Sequence, residues 1–243
     1  MDRSEHFERI APAYDGARPP YPSALFGVLR EAGAIGPGTT VLEIGAGTGL
    51  ATRDLVAAGG EVVALEPGFE LGRLLRRALP DVSVLTTRLE DADLPVAAYD
   101  TVAAATSLHW VDLDVALPRL HAALRPGGRL AVWRHCFGDD EAEVTPFRRQ
   151  VLDGIAARAE REEQRPEERP TLDELAAGGV FVPVRSEHWR WSVDLTAAQV
   201  RALFGTFSNW SEAEVEMAGR AAEELGGVVT EHYRTWLHLL RRA

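Results

Sequence analysis

Between Thr39 and about Arg134, short runs of apolar and β-branched residues take turns with stretches whose apolar positions recur every three or four residues. That alternation is the pattern of βαβ units and predicts a parallel sheet. Strands are predicted at 40–44, 61–65, 82–86, 101–105 and 128–133. Helices are predicted at 50–58, 71–79 and 115–124, stopped respectively by Gly59-Gly60, by Pro80 and by Arg125-Pro126-Gly127-Gly128. The Pro-Gly-Gly step is expected to turn the chain into the fifth strand.

The flanking segments follow other patterns. Residues 4–35 suggest one or two helices, broken at Ala17-Arg18-Pro19-Pro20-Tyr21-Pro22 because proline cannot continue a helix and restricts the residue before it. Such an arrangement would serve as a lid. After Cys136 come four acids (Asp139, Asp140, Glu141, Glu143), a helix from about Phe147, and the mixed-sign run Glu160-Arg161-Glu162-Glu163-Gln164-Arg165-Pro166, read as a solvated helix end. In 184–193 the period is two, so Trp189, Trp191 and Val193 share one face of a strand while His188 and Arg190 share the other. Helical patterns at 197–204 and 211–225 precede Gly226-Gly227. The β-like run 228–240 that follows is a candidate antiparallel partner for the Trp189 strand.

A chain of 243 residues hides roughly 70% of its unfolded surface on folding, enough for one large core and a single domain. No apolar run approaches the roughly 20 residues of a membrane helix, and the first residues show no basic stretch followed by an apolar segment, so neither a membrane anchor nor a secretory signal is expected. Cys136 is the single cysteine, which rules out an internal disulfide and suits a reducing cytoplasm. The net charge of −11 repels a phosphate backbone, so a small molecule is a better partner than a nucleic acid. All 26 basic residues are arginine, which excludes lysine Schiff-base chemistry and a P-loop lysine. No group of His, Cys and carboxylates has metal-ligand spacing, so no metal site is expected.

The chemistry concentrates in Val41-Leu42-Glu43-Ile44-Gly45-Ala46-Gly47-Thr48-Gly49-Leu50, where an apolar strand runs into three alternate glycines and then a helix. Glycine allows a sharp turn and a close approach of ligand to backbone, and a helix start offers unpaired N–H groups. Glu66 lies 21 residues after Gly45, at the end of the second strand, where a carboxylate can accept two ribose hydroxyls. Leu50 occupies the place of the third glycine in a dinucleotide fingerprint, which favours a ligand without phosphates. An ordinary structural turn and a nicotinamide or flavin enzyme are the rival readings.

On these residues the chain resembles the class I, Rossmann-like S-adenosylmethionine-dependent methyltransferases. Val41 to Gly49 is similar to that family's first motif and Val63-Ala64-Leu65-Glu66-Pro67 to its second. Leu89-Glu90-Asp91-Ala92-Asp93-Leu94-Pro95 with Tyr99-Asp100-Thr101-Val102 resembles the third region, and Leu124 to Leu130 the start of the fifth strand. The resemblance implies an α/β fold with a doubly wound, mostly parallel seven-stranded sheet, a helical N-terminal lid and an antiparallel C-terminal edge strand. Within one domain it implies a lid at 1–35, a cofactor-binding core at 36–135 and acceptor-side segments at 136–243. It further implies that Gly45, Ala46 and Gly47 line the cofactor, Glu43 orients the loop or the cofactor amine, Glu66 with Pro67 holds the ribose side, and Leu89 with Glu90 flanks the adenine. For Glu90, Asp91 and Asp93 a hydrated loop is the competing reading.

A small-molecule subgroup of the same family is similar at Tyr14-Asp15-Gly16-Ala17-Arg18-Pro19-Pro20-Tyr21-Pro22 and at Leu108-His109-Trp110. Arg18 is the candidate partner of the cofactor carboxylate, since a guanidinium fork suits bidentate recognition; a surface arginine is the alternative. Tyr14 and Tyr21 would cover the sulfonium, or simply pack. His109 is the candidate base for an acceptor that carries a proton, with packing or loop orientation as the other reading. The expected function is methyl transfer to a small-molecule acceptor by in-line displacement, in the cytoplasm. The alternative is a non-catalytic adenosyl-binding or scaffold protein of the same fold.

Overall fold

The computed structural model describes residues 16–139, 141–156, 169–207 and 209–243. Its strands are β1 (Thr40–Ile44), β2 (Glu61–Leu65), β3 (Ser83–Leu85), β4 (Tyr99–Ala105), β5 (Leu124–Phe137), β6 (Phe181–Thr196) and β7 (Val228–Arg242). They form one seven-stranded sheet in the order β3-β2-β1-β4-β5-β7-β6. Pairing is parallel from β3 through β5. β1 and β4 are buried along most of their length, as the centre of a parallel sheet requires, and carry the buried polar residues Glu43 and Thr101. The helices are α1 (Ser23–Glu31), α2 (Leu50–Ala57), α3 (Phe69–Ala78), α4 (Leu113–Ala123), α5 (Pro146–Ile155), α6 (Leu172–Ala176), α7 (Ala197–Phe204) and α8 (Glu212–Glu224).

At the other side of the sheet the hydrogen-bond partners run in opposite directions. Ser186 meets His238 while Asp194 meets Thr230, and His135 meets Thr235 while the Gly138 N–H donates to the His232 carbonyl. In β6 the predicted alternation is visible as burial: Trp189, Trp191 and Val193 are half-buried and His188 and Arg190 exposed.

The fifth strand departs from its sequence reading. Pairing starts at Tyr99 with Leu124 and then shifts to Thr101 with Arg129, so the Pro-Gly-Gly step is a bulge inside β5 and not a turn before it. Pro126 has no N–H to give to a ladder and Gly127 adopts φ 76°, so the extra residues loop out without ending the strand. In the N-terminal segment, α1 begins directly after Pro22. Residues 1–15 of the expected lid, with Tyr14, lie outside the described residues, as does the mixed-sign run at 160–166.

The chain forms two compact units. Among described residues the first holds 20–135, 169–189 and 235–243, and carries β1 to β4 with most of β5. Its core joins Leu25 and Leu29 of α1, Val41, Leu55, Leu75, Trp133 and Leu237. The second holds 16–19, 136–156 and 190–234, with α5, α7 and α8. Phe147, Val151, Leu203, Phe204, Ala218 and Tyr233 form its core, each large side chain contributing about 1.5–3 kcal/mol. Capping boxes start α7 (Thr196 with Gln199) and α8 (Ser211 with Glu214), satisfying N–H groups that a helix start leaves unpaired. Among described residues no helix is long and apolar enough to cross a membrane.

Candidate active site

Strand order reverses between β1 and β4, with β2 and β3 on one side and β5 on the other. In an open parallel sheet this switch point, outside the carboxyl ends of the strands, is where the following loops diverge and leave a crevice. Two segments leave the strands there: 45–49 after β1 and 106–110 after β4.

The three loop glycines face different surroundings. Gly45 has φ 66°, and a Cβ on it would stand 2.6 Å from the Ser107 Cβ. At Gly49, the N-cap of α2, a Cβ would meet Leu75 at 2.5 Å. Around the Cβ position of Gly47, whose φ is 59°, nothing lies within 4 Å. The outer two are therefore glycine because protein is packed against them, whereas the middle one presents bare backbone to open space. The loop is fixed from below by Gly45 and Ala46 N–H groups donating to the Leu65 carbonyl at 2.8 and 3.1 Å.

Glu66 is buried at the end of β2 and its carboxylate receives the Gly47 N–H at 2.7 Å and the Gly68 N–H at 2.8 Å. The acid thus ties the glycine loop to the start of α3. A carboxylate has about four acceptor positions, so two N–H groups do not exhaust it. Pro67 is exposed beside it and Ala46 is buried within the loop.

Glu43 points into the interior and is fully buried, and neither carboxyl oxygen has a hydrogen-bond partner. Burial pushes its pKa up to about 8; the nearby Thr52 hydroxyl pulls it partly back and the charge of Glu66 raises it again. A carboxyl in such a setting is neutral through most of the physiological range.

On the β4 side, Ser107 donates from Oγ to the Ile44 carbonyl at 2.5 Å and packs on Gly45. Thr106, just before it, has φ 55°, and its hydroxyl lies 3.0 Å from the Tyr21 hydroxyl. Tyr21 is itself buried, with its ring 4.2 Å from that of His135 and edge-on to Trp133. Sequence reasoning passed over Thr52, Thr106 and Ser107. A small hydroxyl residue directly after a central strand was the available signal for Ser107; nothing in composition marks a threonine for positive φ.

His109 is half-buried in a single 3-10 turn, Leu108–Trp110, its ring 4.4 Å from that of Trp110, which is 47% exposed. Leu89 is buried, and its carbonyl accepts from Arg119, which also donates to the Ala92 carbonyl. Glu90 beside it is exposed. Arg18 belongs to the second unit, where its guanidinium donates to the Thr206 carbonyl at 3.2 Å and covers the Phe207 ring at 4.6 Å. Within the first unit the structure gathers Glu43, Gly45, Ala46, Gly47 and Glu66 around one loop.

A mostly parallel sheet with a glycine loop and a strand-end acid at its switch point defines a Rossmann-like unit. The family comparison makes this specific: residues 42–132 match the methyltransferase domain family. An uncharacterized methyltransferase of Mycobacterium bovis is 41% identical over 133 residues, which is 54% of this chain and 53% of that protein. The chain spans about half the length of the curated relatives it matches. A protein of Anaeromyxobacter dehalogenans, solved as a candidate type II methyltransferase, superimposes with a TM-score of 0.67 at 23% identity, covering 93% of this chain and 97% of the other. The geranyl diphosphate C-methyltransferase of Streptomyces coelicolor A3(2), solved with Mg2+, geranyl diphosphate and S-adenosyl-L-homocysteine, gives 0.50 at 17% identity, covering 91% and 79%. The two structural likenesses bear on the fold alone.

Proposed function

We propose that this chain transfers the methyl group of S-adenosylmethionine to a small-molecule acceptor. The observation that carries the reading is the open face of Gly47, with the Glu66 carboxylate bound to its N–H, at the switch point of a methyltransferase domain. The residues fit the donor. Glu66 retains acceptor capacity for ribose hydroxyls. The open Gly47 face admits a ligand against the backbone, and the buried Glu43 of β1 orients the loop from beneath. Gly45 and Ala46 complete the loop, Pro67 stands beside the ribose side, and Leu89 with Glu90 is assigned to the adenine side.

When bound, the donor supplies an already activated methyl group. The protein has to align the acceptor with that group and exclude water, and such approximation can lower a barrier by about 7–11 kcal/mol. Glu66 and the loop backbone fix the donor's position, and Ser107 holds the loop through Ile44. Where the acceptor carries a proton, His109 removes it from its place after β4. A small molecule is the acceptor class that suits a chain of net charge −11. Leu50 in place of the third dinucleotide glycine argues against a nicotinamide ligand.

Calorimetric titration tests this reading. S-adenosylmethionine and S-adenosylhomocysteine are expected to bind and NADH to give no heat at the same concentrations; binding of NADH alone would overturn it.

A further inference from the structure

Two non-glycine residues among those described adopt positive φ, and both flank β4: Ala97 at 50° and Thr106 at 55°. Ala97 is exposed, in the loop before the strand. Thr106 is different. It is β-branched, the kind of residue for which the left-handed region is a true outlier, and it sits at the carboxyl end of the strand beside the glycine loop. A strained conformation persists only where its surroundings over-determine it, and such residues gather at sites whose geometry matters.

The surroundings of Thr106 are on view. Its N–H donates to the Trp133 carbonyl at 2.8 Å, and its hydroxyl is bonded to that of Tyr21 at 3.0 Å. Tyr21 is 8% exposed and clamped, with its ring 4.2 Å from His135 and edge-on to Trp133. The His135 ring is held in turn by Thr235 at 2.7 Å from Nδ1. The left-handed turn at Thr106 sends the next residue inward, where Ser107 bonds to the Ile44 carbonyl and occupies the space a Cβ on Gly45 would need. The same turn sets the start of Leu108–Trp110, which carries His109.

We propose that Thr106 and Tyr21 are a positioning pair: their hydroxyl-to-hydroxyl bond holds Thr106 left-handed, and through Ser107 that conformation sets the glycine loop and the His109 turn in register. Neither residue has to touch the donor. The proposal rests on the donor site proposed above, and its test has one readout that needs no donor.

The test uses the full chain as Tyr21→Phe, Thr106→Val, Thr106→Ser and the Tyr21→Phe/Thr106→Val double variant, valine keeping the β-branched shape and losing only the hydroxyl. Calorimetry measures S-adenosylhomocysteine affinity. Ring-13C histidine labelling follows the His109 resonance, assigned by its loss in His109→Asn. Both single variants are expected to weaken binding about fivefold to tenfold, as loss of one hydrogen bond does, and to move the His109 resonance. The double variant is expected to match the singles, because one bond is lost in all three. Thr106→Ser, which keeps the hydroxyl, is expected to behave as wild type. The thermal midpoint of Tyr21→Phe should stay within about 3 °C of wild type, separating register from global stability. Losses that multiply in the double variant, a Thr106→Ser protein as weak as Thr106→Val, or an unmoved His109 resonance in both singles would each overturn the pair. If wild type itself fails to bind S-adenosylhomocysteine, the donor reading falls and the His109 resonance alone decides the pair.

Discussion

Glu43 gives the sharpest quantitative prediction, because a buried carboxyl without a hydrogen-bond partner has to be neutral to be tolerated. Its pKa in the folded protein is raised to about 8, first by burial and then by the Glu66 charge, from 4.5 in the unfolded chain. Below pH 4.5 both states hold the proton and the group has no effect on stability. Between 4.5 and 8 the unfolded chain releases the proton while the folded protein keeps it, so stability falls as pH rises, by about 1.4 kcal/mol per unit. Above about 8 both states are ionised and the loss levels off. From pH 5.5 to 8.5 this one group therefore costs about 3 kcal/mol. Glu43→Gln keeps the shape and removes the titration. Urea unfolding of both proteins across that range, with m-values checked for constancy, should show curves within about 1 kcal/mol of each other at pH 5.5 that separate by about 3 kcal/mol at 8.5, with the variant more stable. Parallel pH profiles would show that Glu43 ionises normally and that the isolation of its carboxyl is misread.

Other predictions concern the loop and its neighbours. Gly45→Ala should destabilise more than Gly47→Ala, because both carry a left-handed penalty of about 1–2 kcal/mol but only the first drives a Cβ to 2.6 Å from Ser107; urea midpoints in the reverse order would contradict this packing. In S-adenosylhomocysteine titrations Gly47→Ala should nonetheless lose affinity, since its methyl enters the open face assigned to the ligand. Glu66→Ala should lower that affinity by about tenfold or more while leaving the Gly47 and Gly68 N–H groups short of an acceptor, which adds about 1–3 kcal/mol of instability; unchanged binding would remove Glu66 from the site. His109→Ala should keep the affinity within about threefold of wild type, under 1 kcal/mol, and a larger loss would mean that His109 holds the donor and does not serve the acceptor.

The alternation from 40 to 133 was enough to read the parallel half of the sheet, since strands buried on both faces and helices with one apolar face leave different periods in a sequence. The helix expected near 197–204 is present at Ala197–Phe204, started by a capping box of Thr196 and Gln199 that the periodicity alone did not mark. The bulge in β5 was not readable. Pro-Gly-Gly suits a turn and a bulge equally, and only the partner strand, with Leu124 against Tyr99, decides between them. In the site, the loop glycines and Glu66 announced themselves by spacing. Their separate reasons did not: Gly45 answers to Ser107 and Gly49 to Leu75, contacts made across 62 and 26 residues of chain. Thr106 was invisible for a further reason, as its conformation runs against its own side chain and exists because Tyr21 and Trp133 hold it. Leu89 was expected to flank the adenine with Glu90; that it is buried, with its carbonyl accepting from Arg119, depends on a residue 30 positions away that spacing could not indicate.

A crystal structure of the full chain with S-adenosylhomocysteine decides whether the Gly47 face and Glu66 hold the donor. The ribose hydroxyls are expected on the Glu66 carboxylate, with the ligand lying across the bare backbone of Gly47. A ligand bound elsewhere, making no contact with the Glu66 carboxylate, would contradict it.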